Sequence, residues 1–251
     1  MTMINFGTPL ANYADTRYAT LLKLEERGTP SLNVYIDSKG YATIGAGFLV
    51  SSWAEQILGQ MYPLLAQDQA KLFKARDTIR AATLGKNFGQ GPAGATAALN
   101  AINTALRQAA GDNSLNFTFT SSGQVRSTFD AIATEFAKKV TDWLDVPPNS
   151  LPTSNETLAL FSLAYNNIIG PGKSPSFQKA NNSGNRAEAW YQIRYVSNGD
   201  HLPGIAKRRY YESELFGLYD NIAAVSQAEA ISVYRMFTAH RDKIAAYEAL
   251  Y

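Results

Sequence analysis

The chain has 251 residues, 45% of them hydrophobic and 18% charged, with 23 Lys and Arg against 21 Asp and Glu for a net charge of +2. That composition suits a folded protein with one core, or a core and a smaller lobe, and excludes long disorder and an electrostatic pull toward nucleic acid. With no cysteine, neither disulfides nor thiolate metal sites can form.

Residues Met1 to Asn12 lack the basic flank and apolar stretch of a secretion signal, and no later run has the length of a membrane span. The expectation is a chain made in the cytoplasm that does not insert into membranes and is exported by another route. The 14 Tyr, 12 Phe and 3 Trp are expected mostly in core and rim.

From Tyr13 to Glu26, the positions Tyr18, Leu21, Leu22 and Leu24 have helical spacing, and Gly28, Thr29 and Pro30 end it. A first helix thus stops at the acid pair Glu25-Glu26. Val34 to Ile36, then Asp37-Ser38-Lys39-Gly40, then Tyr41 to Ile44 read as two strands around a glycine turn, closed by Gly45 and Gly47. Residues 53–85 and 93–110 predict a helical hairpin split by the glycines of Lys86 to Gly94. Asp112 to Ser122 is a loop or brief strand with the alternation Phe117-Thr118-Phe119.

Val125, Phe129, Ile132, Phe136, Val140 and Trp143 mark one face of a long amphipathic helix capped by Ser121 or Ser122. After the prolines of Asp145 to Asn155, the apolar run Glu156 to Ile169 predicts a buried central helix. A polar loop (Gly170 to Gly184), a helix around Arg186 to Tyr195, and helices near 205–220 and 226–250 complete the chain. Lys207-Arg208-Arg209 reads as a solvated basic face, with the holding of an anionic wall polymer as the alternative. His201 and His240 lack ligand spacing, so no metal site and no cofactor are expected.

Inverting glycoside hydrolysis needs a protonated carboxyl on one side of the sugar and a carboxylate on the other, roughly 6.5–9.5 Å apart, with water between. A helix end followed by a hairpin can supply such a pair, from Glu25 or Glu26 and from Asp37. Taken singly, these acids would read as a helix cap and a turn former. The strings Leu22-Lys23-Leu24-Glu25-Glu26 and Tyr35-Ile36-Asp37-Ser38-Lys39-Gly40-Tyr41-Ala42-Thr43-Ile44-Gly45-Ala46-Gly47 carry more.

Together they resemble glycoside hydrolase family 24, the phage T4-type lysozymes, whose pattern E-x8-D-x5-T ends in T-I-G-x-G. Leu160 to Asn166 is similar to that family's central-helix signature, and Leu202 to Arg209 with Glu212 and Leu215 to its late G-L-x-x-R-R-x-x-E-x-x-L motif. The likeness spans about 13–49 and 122–220. It implies an α+β, mostly helical, two-lobed lysozyme-like fold with a small β-hairpin lobe. Within one domain, 1–251, it implies a first helix and catalytic hairpin (13–49), a helical insertion (50–121), a helical lobe (122–220) and a C-terminal helical extension (221–251).

The resemblance makes Glu26 the general acid, Asp37 the second carboxylate and Thr43 the hydroxyl that holds the water. It makes Tyr35, Leu49, Tyr165 and Asn166 substrate-binding residues, and pairs Glu25 with Arg208 as structural support. The implied activity is N-acetylmuramidase cleavage of peptidoglycan glycan strands by a monomer, as an endolysin released through a holin pore or as an injected effector with an immunity protein. A lytic transglycosylase and an inactive wall-binding module are the alternatives. Two departures stand out. Ten residues separate Glu26 from Asp37 where the pattern has eight, so a bulge is expected around Thr29 to Ser31, and Phe48 stands where many members carry His.

Overall fold

The computed structural model describes residues 3–25, 28–199 and 201–251. Along them the chain is mostly helical with one small antiparallel sheet, the α+β lysozyme-like class expected. It forms two compact units, Tyr18–Thr134 and Met1–Arg17 with Glu135–Tyr251. No helix among the described residues is long and apolar enough to cross a membrane.

Helix α1 (Tyr13–Leu24) ends inside the first of these units, where it buries Leu21 and Leu22. Its backbone closes when the Gly28 amide, at φ 62°, donates to Leu22 O at 3.3 Å. Glycine takes that left-handed conformation at little cost, which is why the pattern stops there.

Strands β1 (Ser31–Ile36), β2 (Ala42–Gly45) and β3 (Phe48–Leu49) follow, antiparallel in the order β1-β2-β3. The third strand corrects the two-stranded expectation. Gly45 and Gly47, at φ 68° and 92°, turn the chain back on β2 instead of closing the ribbon. A Cβ on Gly45 would meet the Phe48 ring at 2.5 Å, so the turn and the strand it creates depend on the same missing atom.

The surplus residues also lie elsewhere than expected. Ser31 pairs with Gly45 and Tyr35 with Thr43, so three residues of β1 face one of β2, and the irregularity falls inside the strand and not at Thr29 to Ser31. The cause is competition for hydrogen bonds. Leu32 O accepts from Phe119 N (2.9 Å), and the single Thr118 Oγ1 proton is shared between Leu32 O (3.0 Å) and Asn33 Oδ1 (2.8 Å).

The expected helical stretch 53–85 is three helices, α2 (Val50–Met61), α3 (Pro63–Gln67) and α4 (Gln69–Thr83). Pro63 has no amide to continue α2, and Asp68 restarts the chain by capping α4 through Lys71 N at 3.1 Å. Helix α5 (Gly91–Ala110) packs on α4 as the predicted hairpin and also on β1. Residues 112–121 form no strand, yet Phe117 and Phe119 are buried with Ile44, Phe48, Ile57, Ile79, Ile102 and Leu106. Each such side chain contributes about 1.5–3 kcal/mol of apolar burial. Helix α6 (Ser122–Leu144) starts at Ser121, whose Oγ accepts from Gln124 N at 3.3 Å, and buries its predicted stripe.

In the other unit, α7 (Asn155–Tyr165) is the expected buried helix, capped by Ser154 and buried from Leu158 to Ala164, but it ends four residues short of the expected Ile169, with Asn166 at its C-cap and Asn167 at φ 60°. The polar segment Gly170 to Gly184 is not a loop throughout, because it contains α8 (Pro175–Asn182). Phe177 and Ala180 bury one side of α8, and its polar side chains bond inward: Gln178 donates to Trp143 O, and Asn182 Nδ2 donates to Leu144 O at 3.3 Å. Polar composition here reflects bonding, not solvent.

Next come α9 (Arg186–Tyr191), a π-helical turn (Gln192–Val196), α10 (Pro203–Phe216) and α11 (Gln227–Glu248), the last with a capping box from Ser226 and Glu229. The N-terminal strand of chain is tied in by Ile4 N to Asn181 O (3.0 Å) and Gly7 N to Glu156 Oε2 (3.1 Å).

Candidate active site

Glu26, the residue expected as the general acid, lies outside the described residues. Its neighbour Glu25 is described, and its carboxylate lies against Gly47: a Cβ there would come within 3.1 Å of Glu25 Oε2. The end of α1 is therefore fitted to the β2–β3 turn through a glycine.

On the sheet, register brings three of the predicted residues together. Tyr35 on β1, Thr43 on β2 and Leu49 on β3 are directly paired across the strands, so their side chains share one face. Ile44 and Phe48, paired on the opposite face, are fully buried and form the core side. Thr43 is 4% exposed between the half-buried Tyr35 and Leu49, and its Oγ1 donates to Tyr41 O at 3.2 Å.

Asp37 follows Tyr35 by two residues, and its amide donates to Tyr41 O at 3.0 Å, so the strand alternation continues through it. Its Cβ leaves on the Thr43 side, which the sequence alone left open. The three-residue loop Ser38-Lys39-Gly40 needs its last residue left-handed, and Gly40 has φ 89°. Within this loop, Asp37 Oδ1 accepts from the amides of Lys39 and Tyr41, both at 2.9 Å, and Oδ2 has no partner among the described residues. One oxygen thus fixes the carboxylate and the other is available for chemistry.

The other predicted residues belong to the α7–α10 region. Tyr165 ends α7 with its ring 4.8 Å from Phe136 and 6.3 Å from Phe161. Asn166 is the C-cap residue of that helix, and its Oδ1 accepts from Arg209. Arg208 Nε donates to Glu212 Oε1 at 3.1 Å, and its Nη2 to Ser162 Oγ at 3.2 Å. Arg209 donates to Glu212 Oε2, and Ser162 Oγ donates to Glu212 Oε1 at 2.5 Å.

The basic run is therefore not a solvated face: Arg209 and Glu212 are both 0% exposed and Arg208 is 5% exposed, while Lys207 alone faces out. Burial pulls the Arg209 guanidinium below its usual range and the Glu212 carboxylate works against that shift. Glu212 at i+4 from Arg208 and i+3 from Arg209 is the spacing that would have revealed the cluster. No comparable signal pointed to Asn87 and Gln90, which contact the Asp37 turn from the 50–121 segment: Gln90 Nε2 donates to Asp37 O at 2.8 Å and Asn87 Nδ2 to Lys39 O at 3.1 Å.

Residues 94–212 match the phage lysozyme family. The match begins within α5, inside the segment expected to be an insertion without counterpart, and does not reach the Glu26 to Thr43 stretch. It covers the α7 motif and the α10 motif as far as Glu212, and supports peptidoglycan as substrate and glycoside hydrolysis as reaction. No curated protein and no solved structure matches.

Proposed function

We propose that the protein is an N-acetylmuramidase that cleaves the β-1,4 bond between N-acetylmuramic acid and N-acetylglucosamine with inversion. Glu26 protonates the glycosidic oxygen as the bond to the anomeric carbon breaks. Asp37 takes a proton from the water that attacks that carbon from the opposite ring face. Thr43, whose hydroxyl proton is committed to Tyr41 O, offers its lone pairs to that water. Tyr35 and Leu49 flank the reacting sugar, and Tyr165 and Asn166 contact the glycan.

The observation that carries this reading is the sheet register, which aligns Tyr35, Thr43 and Leu49 beside a carboxylate with one oxygen that has no partner among the described residues. The lytic setting is that of an endolysin or an injected antibacterial protein.

The test is Glu26→Gln on purified sacculi. Reducing-end release should disappear while the circular dichroism spectrum stays that of the wild type, and an active variant removes Glu26 from the mechanism. Mass spectrometry of the wild-type products should show one water gained per cut, and 1,6-anhydro ends would replace hydrolysis by transglycosylation.

A further inference from the structure

Three of the four carbonyls in the turn that carries Asp37 are bonded by one short segment between α4 and α5. Gln90 Nε2 donates to Asp37 O (2.8 Å), Asn87 Nδ2 to Lys39 O (3.1 Å) and Phe88 N to Gly40 O (2.9 Å). The segment also has contacts of its own that fix its shape. Asn87 Oδ1 accepts from Gly89 N at 2.8 Å, which curls the loop. Gly94 then lets α5 begin against it, since a Cβ there would lie 2.3 Å from Gly89 O. Gly40 is matched from the other side, because a Cβ on it would collide with the Asn87 side chain at 2.3 Å.

From this geometry we infer that Asn87 and Gln90 are positioning residues for Asp37, and that the loop 87–90 between α4 and α5 is a brace which aims the second carboxylate. The inference rests on the muramidase reading. Its chain of contacts is short: Asp37 Oδ1 is aimed by the amides of Lys39 and Tyr41, and those two amides are held in place by a turn whose carbonyls end on Asn87, Phe88 and Gln90. A displacement of the base by a fraction of an ångström changes its alignment with the attacking water while leaving the sugar contacts of Tyr35 and Leu49 alone. The effect should therefore fall on turnover and spare substrate binding. Thr118 and Phe119, which follow α5, grip the other end of β1, so the strand is held at its turn by residues just before that helix and at its bulge by residues just after it.

The double variant Asn87→Asp, Gln90→Leu removes both side-chain donors and keeps the acceptor that curls the loop. On soluble wall glycan, kcat should fall about ten- to thirtyfold with KM within about twofold. Restoring a donor with Gln90→Lys in the single-site background should return kcat to within about threefold of wild type, where Gln90→Leu alone does not. Amide exchange at Lys39 and Tyr41, read by NMR without substrate, should accelerate about tenfold in the double variant while exchange in α4 and α5 stays unchanged.

A double variant with wild-type kcat, or with unchanged exchange at Lys39 and Tyr41, overturns the brace. A wild-type chain that cuts no wall glycan overturns the muramidase reading instead, and the exchange measurement then still decides whether the turn is held as described.

Discussion

The Asp37 turn and the Arg208–Arg209–Glu212 cluster hold functional candidates by opposite means. The turn is assembled from backbone amides and carbonyls, with exposed Asn87 and Gln90 reaching in, and it carries no ion pair of its own among the described residues. The cluster packs two guanidinium groups and one carboxylate into the interior and uses them to hold Ser162 and Asn166. A buried ionic cluster is stiff because breaking it leaves an unpaired charge in a poor solvent. A turn of neutral hydrogen bonds loses much less when one contact goes, because water can replace it. Damage should therefore unfold the α7–α10 region and merely detune the hairpin.

Asp37→Asn is the strongest test of the hairpin side. It keeps an oxygen for the Lys39 and Tyr41 amides, so wall cleavage should fall about 10²- to 10⁴-fold while stability to urea changes by less than about 1 kcal/mol. A large stability loss would make Asp37 a structural turn residue instead.

Glu212→Gln is its counterpart. It strands Arg208 and Arg209 in the interior and should cost about 3–5 kcal/mol in chemical denaturation. If the variant unfolds at wild-type urea concentrations, the cluster is wetter than its burial indicates and the contrast fails.

Gly40→Ala should come next. It places a side chain at φ 89°, worth about 1–2 kcal/mol of strain, against Asn87, and should lower kcat along with stability. Asp68→Ala is the control with the smallest reach. It removes the α4 cap, costs about 1 kcal/mol, and should leave turnover unchanged, because that cap lies at the opposite end of α4 from the loop that holds the Asp37 turn. A kcat loss equal to that of Gly40→Ala would show that general loosening, and not the turn, governs the base.

Helices with long, clean apolar stripes were legible in the chain: α6 and α7 run where Val125 to Trp143 and Leu158 to Ala164 indicate. So was the Asp37 hairpin, since Asp-Ser-Lys-Gly between β-branched and aromatic residues is a local signal. The elements that the pattern missed are those made by distant partners. Strand β3 exists because Gly45 clears room for Phe48, and the β1 bulge exists because Thr118 and Phe119 compete for Leu32 and Asn33. Helix α8 hid behind polar residues whose bonds end on the last carbonyls of α6.

By itself, then, the amino-acid order determined the helical stripes, the glycine turns and the spacing of Asp37 and Thr43, because each depends on neighbours a few residues apart and on backbone sterics. Only tertiary structure decided which face Asp37 shares, that Arg208 and Arg209 turn inward onto Glu212, and that a loop fifty residues downstream holds the hairpin. Those outcomes come from hydrogen-bond competition and burial between segments far apart in the chain, and no local periodicity encodes them.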